Sequence, residues 1–144
     1  MPLPLLRNTE RVMSRENVAL VRSLIEIWNQ GNWDAAEPLV QPDVVMVGPE
    51  GWPESEMTHG WQSSLEQLRR VTEPWDSQLL EIDRVEDLGE QVLVESRWIT
   101  RGTDSQVTLE TPTATLHTIS GGKIARIEFY LDLAEARRAA GLTE

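Results

Sequence analysis

The chain contains no cysteine, one tyrosine and one phenylalanine, and it has no apolar run of membrane-spanning length. Without cysteine there is no disulfide framework, no thiol nucleophile and no thiolate metal site. A reducing compartment suits such a chain, and the expected location is cytoplasmic. The opening Met1-Pro2-Leu3-Pro4-Leu5-Leu6 is too short for a secretory signal, lacks a leading positive charge and runs into Arg7, Glu10 and Arg11. Positive charge is scarce: 13 Lys and Arg stand against 24 Asp and Glu, a net charge of −11. Like charge repels nucleic acid and anionic membranes, so neither is an expected partner. The acidic residues are scattered rather than blocked, the pattern of a solvated surface. The two histidines, His59 and His117, lie far apart and outside any HExxH pattern, so no metal site is expected. No Gly-rich loop is shaped to cradle phosphate, and nothing calls for a cofactor.

What remains fits one domain of 144 residues. Ser14 to Gln30 reads as an amphipathic helix, capped by Ser14 and stopped by Gly31, with Val18, Val21, Ile25 and Trp28 on its apolar stripe. Residues 1–13 then read as an N-terminal extension and residues 14–144 as the domain. A short second helix is expected from Asn32, with Trp33, Ala36, Leu39 and Val40 as its apolar side. A strand follows over Asp43 to Val47, then a loop from Gly48 to Thr58. Trp61, Leu65, Leu68 and Val71 mark a third helix. Beyond Pro74 the period changes to two, with strands over Ser77–Val85, Gln91–Arg101, Gln106–Ile119 and Lys123–Leu131. Short connections make these an antiparallel meander. Asp132 and Glu135 have capping-box spacing for a final helix ending at Gly141. Helices first and strands later argue for an α+β fold, with helices on one face of an antiparallel sheet.

Alternation along the strands assigns their faces. Val92, Val94, Ser96, Trp98 and Thr100 form the less charged set of one strand and should face inward. On the last strand the inward set is Ala125, Ile127, Phe129 and Leu131. The strand between them is ambiguous, because Thr113, Thr115, His117 and Ile119 alternate with Ala114, Leu116 and Thr118. A two-residue Gly-Gly turn would set His117 opposite Arg126, facing outward. A three-residue loop with a bulge at Gly122 would set His117 opposite Ala125 and Thr115 opposite Ile127, facing inward.

Several stretches carry a resemblance: Trp28-Asn29-Gln30-Gly31-Asn32-Trp33-Asp34-Ala35, Pro42-Asp43-Val44, Gly121-Gly122-Lys123-Ile124-Ala125-Arg126-Ile127 and Phe129-Tyr130-Leu131-Asp132. Together they resemble the SnoaL-like proteins of the nuclear transport factor 2-like superfamily, from about Ser14 onward. The resemblance implies a curved antiparallel sheet wrapped around N-terminal helices, a cone with an internal pocket. It implies the bulged hairpin, hence His117 inward, and a homodimer through the outer sheet face. It leaves function open, since relatives include isomerases, polyketide cyclases, epoxide hydrolases, dehydratases and binding proteins without chemistry.

The positions that match the catalytic set of limonene epoxide hydrolase are Ser96, Trp98 and Phe129, none of which can serve as a carboxylate base or guanidinium donor. Phe129 likewise cannot replace the acidic base of the polyketide cyclases. Asp132 reads as a helix cap rather than a base. His117 is the one inward group able to move a proton near neutral pH. The expected pocket lining is Trp28, Met46, Ser96, Trp98, Thr113, Thr115, Phe129 and Leu131, with His117 as the catalytic candidate. Trp52, Trp61 and Trp75 flank the loop from Gly48 to Thr58, which could act as a lid. Glu95, Arg97, Arg126 and Glu128 are expected to form outer-face ion pairs. Three readings follow: binding of a small, largely apolar and possibly ring-bearing molecule; a lyase, isomerase or hydrolase using His117 as acid or base; and a dimeric scaffold without chemistry.

Overall fold

Side chains three and four apart stack on one face of a helix, and Val18, Val21, Ile25 and Trp28 do so on α1 (Asn8–Gln30). The computed structural model describes residues 8–49, 57–102 and 107–142, with side chains from Ser14 onward. Residues 1–7 of the expected extension fall outside this set. Ser14 is not the N-cap, because the helix backbone already runs through it. No glycine or proline precedes it closely enough to stop the helix, and its hydroxyl donates to Asp87 Oδ1 at 2.6 Å.

The expected second helix is a 3₁₀ segment, Trp33–Leu39, without a side-chain cap from Asn32. Val40 belongs to the strand that follows, β1 (Val40–Val47). A two-residue strand missed in the sequence, β2 (Thr58–His59), pairs antiparallel with β1. Helix α2 (Trp61–Thr72) precedes the four long strands β3 (Trp75–Asp87), β4 (Gln91–Gly102), β5 (Thr108–Ser120) and β6 (Lys123–Tyr130). The chain closes with α3 (Leu133–Ala139), whose N-cap Asp132 accepts from Ala134 N at 2.9 Å and Glu135 N at 3.3 Å. The sheet order is β2-β1-β6-β5-β4-β3. The meander is antiparallel as short connections require. The sheet as a whole is mixed, because β1 joins β6 in parallel.

One face of this curved, unclosed sheet covers the main core. Val21 and Ile25 of α1, Trp61, Leu65 and Leu68 of α2, and Val92, Val94, Trp98 and Ile127 of the sheet pack there. The inward set assigned to β4 is therefore the core-facing set. Full burial of each such aliphatic side chain stabilises the fold by about 1.5–3 kcal/mol.

The β5–β6 hairpin resolves the register question in a third way. Ser120 pairs with Lys123 and Ile119 with Ile124 across a two-residue turn, in which Gly121 and Gly122 have φ of 60° and 77°. Positive φ at both positions favours glycine and suits a type I′ turn. The register then shifts, so that Thr118 meets Arg126, His117 meets Ile127 and Thr115 meets Phe129. Ala125 is the extra residue on β6. The predicted partners of His117, Arg126 or Ala125, are thus both corrected, while its inward face stands. The bulge also brings Ile124 into the core fully buried, although its neighbour Ala125 was expected inward.

Helix α3 lies on the opposite face of the sheet, not with the other helices. There Ala136 packs with Leu93, Ala114 and Leu116 in a second buried cluster joined by Tyr130. Arg137 fastens the helix to the sheet by donating to Glu86 Oε1 at 2.6 Å and Glu95 Oε2 at 3.2 Å.

Candidate functional site

The C-terminal turn of α1 is fixed by two polar side chains. Asn29 Nδ2 donates to Leu80 O at 3.0 Å while Leu80 N donates to Asn29 Oδ1 at 2.8 Å. Gln78 Nε2 donates to Trp28 O at 3.2 Å, and Gln78 Oε1 accepts from Trp98 Nε1 at 3.0 Å. This chain of contacts links the Trp28 backbone to the Trp98 ring, and both residues border the same chamber. Trp33 stands edge-on to Trp28, with ring centroids 4.6 Å apart, and Trp75 edge-on to Trp98 at 6.0 Å. Such perpendicular pairs follow the quadrupoles of the rings.

Two adjoining chambers share Trp28 as a wall. The first is a cavity of about 50 Å³, open on one side. It is bounded by Trp28, Met46, Trp98, Thr113, Thr115, Phe129 and Leu131, all expected from the sequence. Gly48, Pro49, Gln67, Leu68, Val71, Leu80 and Tyr130 complete it. The second, a cavity of about 40 Å³, runs toward Ile25, Trp33, Ala36, Trp61 and His117. Both are bounded by Trp28, Met46, Leu68, Leu80, Thr115 and Phe129, which form the waist between them.

Ser96 is the expected lining residue that borders neither chamber. It is buried, and its hydroxyl lies 2.9 Å from that of Thr113, whose Oγ1 also reaches Ser96 O at 3.4 Å. The two hydroxyls satisfy each other within the sheet. Trp61 is buried in the core and Trp75 packs against Trp98, so neither stands over a mouth as a lid residue. Trp52 and most of the proposed lid lie outside the described residues. His59 is exposed on β2.

His117 borders the second chamber, is buried, and has Nδ1 3.4 Å from Val92 O. A carbonyl only accepts, so Nδ1 carries the proton in this contact. Burial pushes the imidazole down to about 4, against smaller upward contributions from the backbone of Val92 and Thr115. The ring is therefore neutral at pH 7. The phenol of Tyr130 is pushed up to about 12, by burial first and then by Glu128, and is neutral too. Among the described residues, no Asp, Glu, Lys or Arg borders either chamber. Among the described residues no three His, Asp or Glu are grouped to hold a metal ion.

The expected outer-face ion pairs are rearranged. Arg97 binds Glu81, Asp83 and Glu110 rather than an acid on the last strand. Glu95 turns to Arg137 of α3, and Arg126 meets Glu128 along its own strand at 3.6 Å. The wall residues Leu68 and Val71 were visible only as apolar helix positions, and Leu80 only as part of a strand. Their apolar spacing identifies a packed face but not which part of that face is hollow.

The comparisons agree with this architecture. The SnoaL-like domain profile matches residues 21–127, and the chain belongs to that family. No curated protein matches the sequence significantly. A structure from Jannaschia sp. CCS1 named as a SnoaL-like polyketide cyclase superposes with a TM-score of 0.75 at 16% identity, covering 98% of this chain and 100% of that one. A hypothetical protein from Catenulispora acidiphila with a ketosteroid isomerase-like fold, in complex with trimethylamine, gives 0.69 at 18% identity, with 86% and 93% covered. TerC co-crystallized with polyporic acid gives 0.73 at 18% identity, with 88% and 98% covered. At such identities the likeness establishes the fold alone. No helix among the described residues is long and apolar enough to cross a membrane.

Proposed function

We propose that this protein binds a small, uncharged and largely apolar molecule in the paired chambers between α1, α2 and the sheet. The observation that carries the reading is the lining itself: flat aromatic and aliphatic walls with no ionised group among the described residues. An ion entering there would lose hydration with no charged side chain among the described residues to offset the loss. A ring-bearing molecule would instead bury its faces against Trp28, Trp98 and Phe129. That two proteins of similar fold are described with small molecules bound, trimethylamine and polyporic acid, is consistent with a ligand-holding role.

The proton-transfer alternative has less support. An imidazole with a pKa near 4 is a weak base at neutral pH, and the contacts of His117 are to backbone rather than to a carboxylate. The reading extends to a cytoplasmic homodimer, whose interface would use the part of the outer sheet face that α3 leaves open.

Indane, a rigid bicyclic hydrocarbon, is a suitable probe. Titration calorimetry should show it binding the wild-type protein. Met46→Trp, which adds bulk at the waist shared by both chambers, should weaken that binding about tenfold or more while the variant stays folded by circular dichroism. Equal uptake by both proteins would place the hydrocarbon elsewhere. No uptake by the wild type would remove the binding reading.

A further inference from the structure

Strand β3 forms one border of the sheet, and among the described residues no strand pairs with its outer side. It is 13 residues long, and a border of that length offers a row of N–H and C=O groups on which another chain can add a strand. Beyond Ile82 the row is broken by a bulge at Asp83, where the pairing with β4 slips. Over residues 77–82 the pairing is regular. In an antiparallel ladder, alternate residues point their backbone groups away from the neighbouring strand. Leu80 is one of these, because both its groups are taken from outside the sheet. Its N–H donates to Asn29 Oδ1 at 2.8 Å, and its C=O accepts from Asn29 Nδ2 at 3.0 Å. By the same alternation Gln78 and Ile82 turn their backbone groups the same way. One carboxamide in the last turn of α1 thus makes the exchange with Leu80 that a residue of an added strand would make. The Gln78 side chain steadies that turn by donating to Trp28 O at 3.2 Å.

We infer that Asn29 blocks the border of β3, and that the occupant it excludes is β3 of a second copy, in a two-fold antiparallel pair centred on Leu80. A two-fold contact brings the same patch of both copies together. Centred on Leu80, it sets the N–H and C=O of that residue on those of its counterpart, the two groups that Asn29 holds. Gln78 then meets the second copy's Ile82, and Leu79 meets the second copy's Glu81, so no like charges stand directly opposite. At the ends of the pair Asp76 of each copy falls toward Arg84 of the other, a match of opposite charge. The face of the sheet on which two copies could stack is a different surface, carried by side chains such as Leu79 and Ile99 rather than by the backbone of the border. Asn29 therefore keeps the sheet from growing sideways without hindering a contact through its outer face.

Sedimentation equilibrium of full-length variants, at one salt concentration, tests the blocking role. Asn29→Ala uncovers both Leu80 groups and should self-associate about tenfold or more tightly than the wild type. Asn29→Asp keeps the size and the acceptor for Leu80 N–H but loses the donor to Leu80 O, so it should associate by a smaller factor. It carries the measurement if Asn29→Ala does not fold. Adding Ile82→Pro to either variant removes an outward N–H that a second strand needs, while the bonds to β4 remain. The double variants should return to the wild-type level of association. A merely loosened chain would behave in the opposite way, because a second destabilising change would make it stickier. Ile82→Pro alone should leave the wild-type assembly, including any contact through the outer face, unchanged. Wild-type association in both Asn29 variants, or association that Ile82→Pro does not reverse, would overturn the inference.

Discussion

A histidine buried in an apolar wall couples stability to acidity. His117 is neutral in the folded protein down to about pH 4, whereas in the unfolded chain it takes a proton below about 6.5. The unfolded state therefore binds more protons between those values, and folding stability is lost as pH falls from 6.5 toward 4. Above 6.5 the contribution is flat. The loss should reach on the order of 3 kcal/mol. Replacing His117 by Gln, which cannot titrate, should remove that part of the pH dependence. Urea denaturation of both proteins at pH 7 and pH 4.5 reads the difference directly. If the variant loses as much stability as the wild type over that interval, the imidazole is not the responsible group.

Among the elements, α3 and β5 explain both what the sequence disclosed and what it concealed. The alternation of β4 was legible because Glu95, Arg97 and Arg101 contrast with Val92, Val94 and Trp98. The face of β5 was not, because its second half is buried on both sides: Thr115, His117 and Ile119 toward the chambers, Ala114 and Leu116 under α3. A strand covered twice carries no polar contrast to read. The capping box announced α3 from Asp132 and Glu135, yet nothing local says which face of the sheet a short helix will cover. The register at Ala125 was equally hidden, since a bulge answers to long-range packing of Ile124 and Ile127 rather than to turn residues. Most of the first chamber's wall followed from parity, while Ser96 had the right parity but spent its hydroxyl on Thr113. Leu93 tests the outer cluster, because it is fully buried against Leu116 and Ala136. Leu93→Ala should cost about 2–5 kcal/mol. Amide exchange within α3 should rise more than exchange within α1. Equal loosening of both helices would mean that the outer cluster is not what holds α3 down.

For the whole molecule, the placement of α3 limits how two copies could meet. The outer face over Leu93, Ala114 and Leu116 is already covered, leaving the β3–β4 side, where Leu79 is 41% exposed and pairs with Ile99. Beside them Arg97 is ringed by Glu81, Asp83 and Glu110, so an apposed copy would present the same excess of negative charge. A homodimer through this face should therefore tighten with added salt, and Leu79→Asp should shift sedimentation equilibrium toward monomer by about tenfold or more in Kd. A wild type that sediments as a monomer at every salt concentration would exclude that assembly. The extra residue in β6 has a separate consequence for kinship. Because Ala125 sits outside the pairing, a sister sequence one residue shorter there could keep Ile124, Ile127 and His117 in the same wall. Alignments should accordingly accept a single gap at that point, and lineages that differ by it need not differ in what they hold.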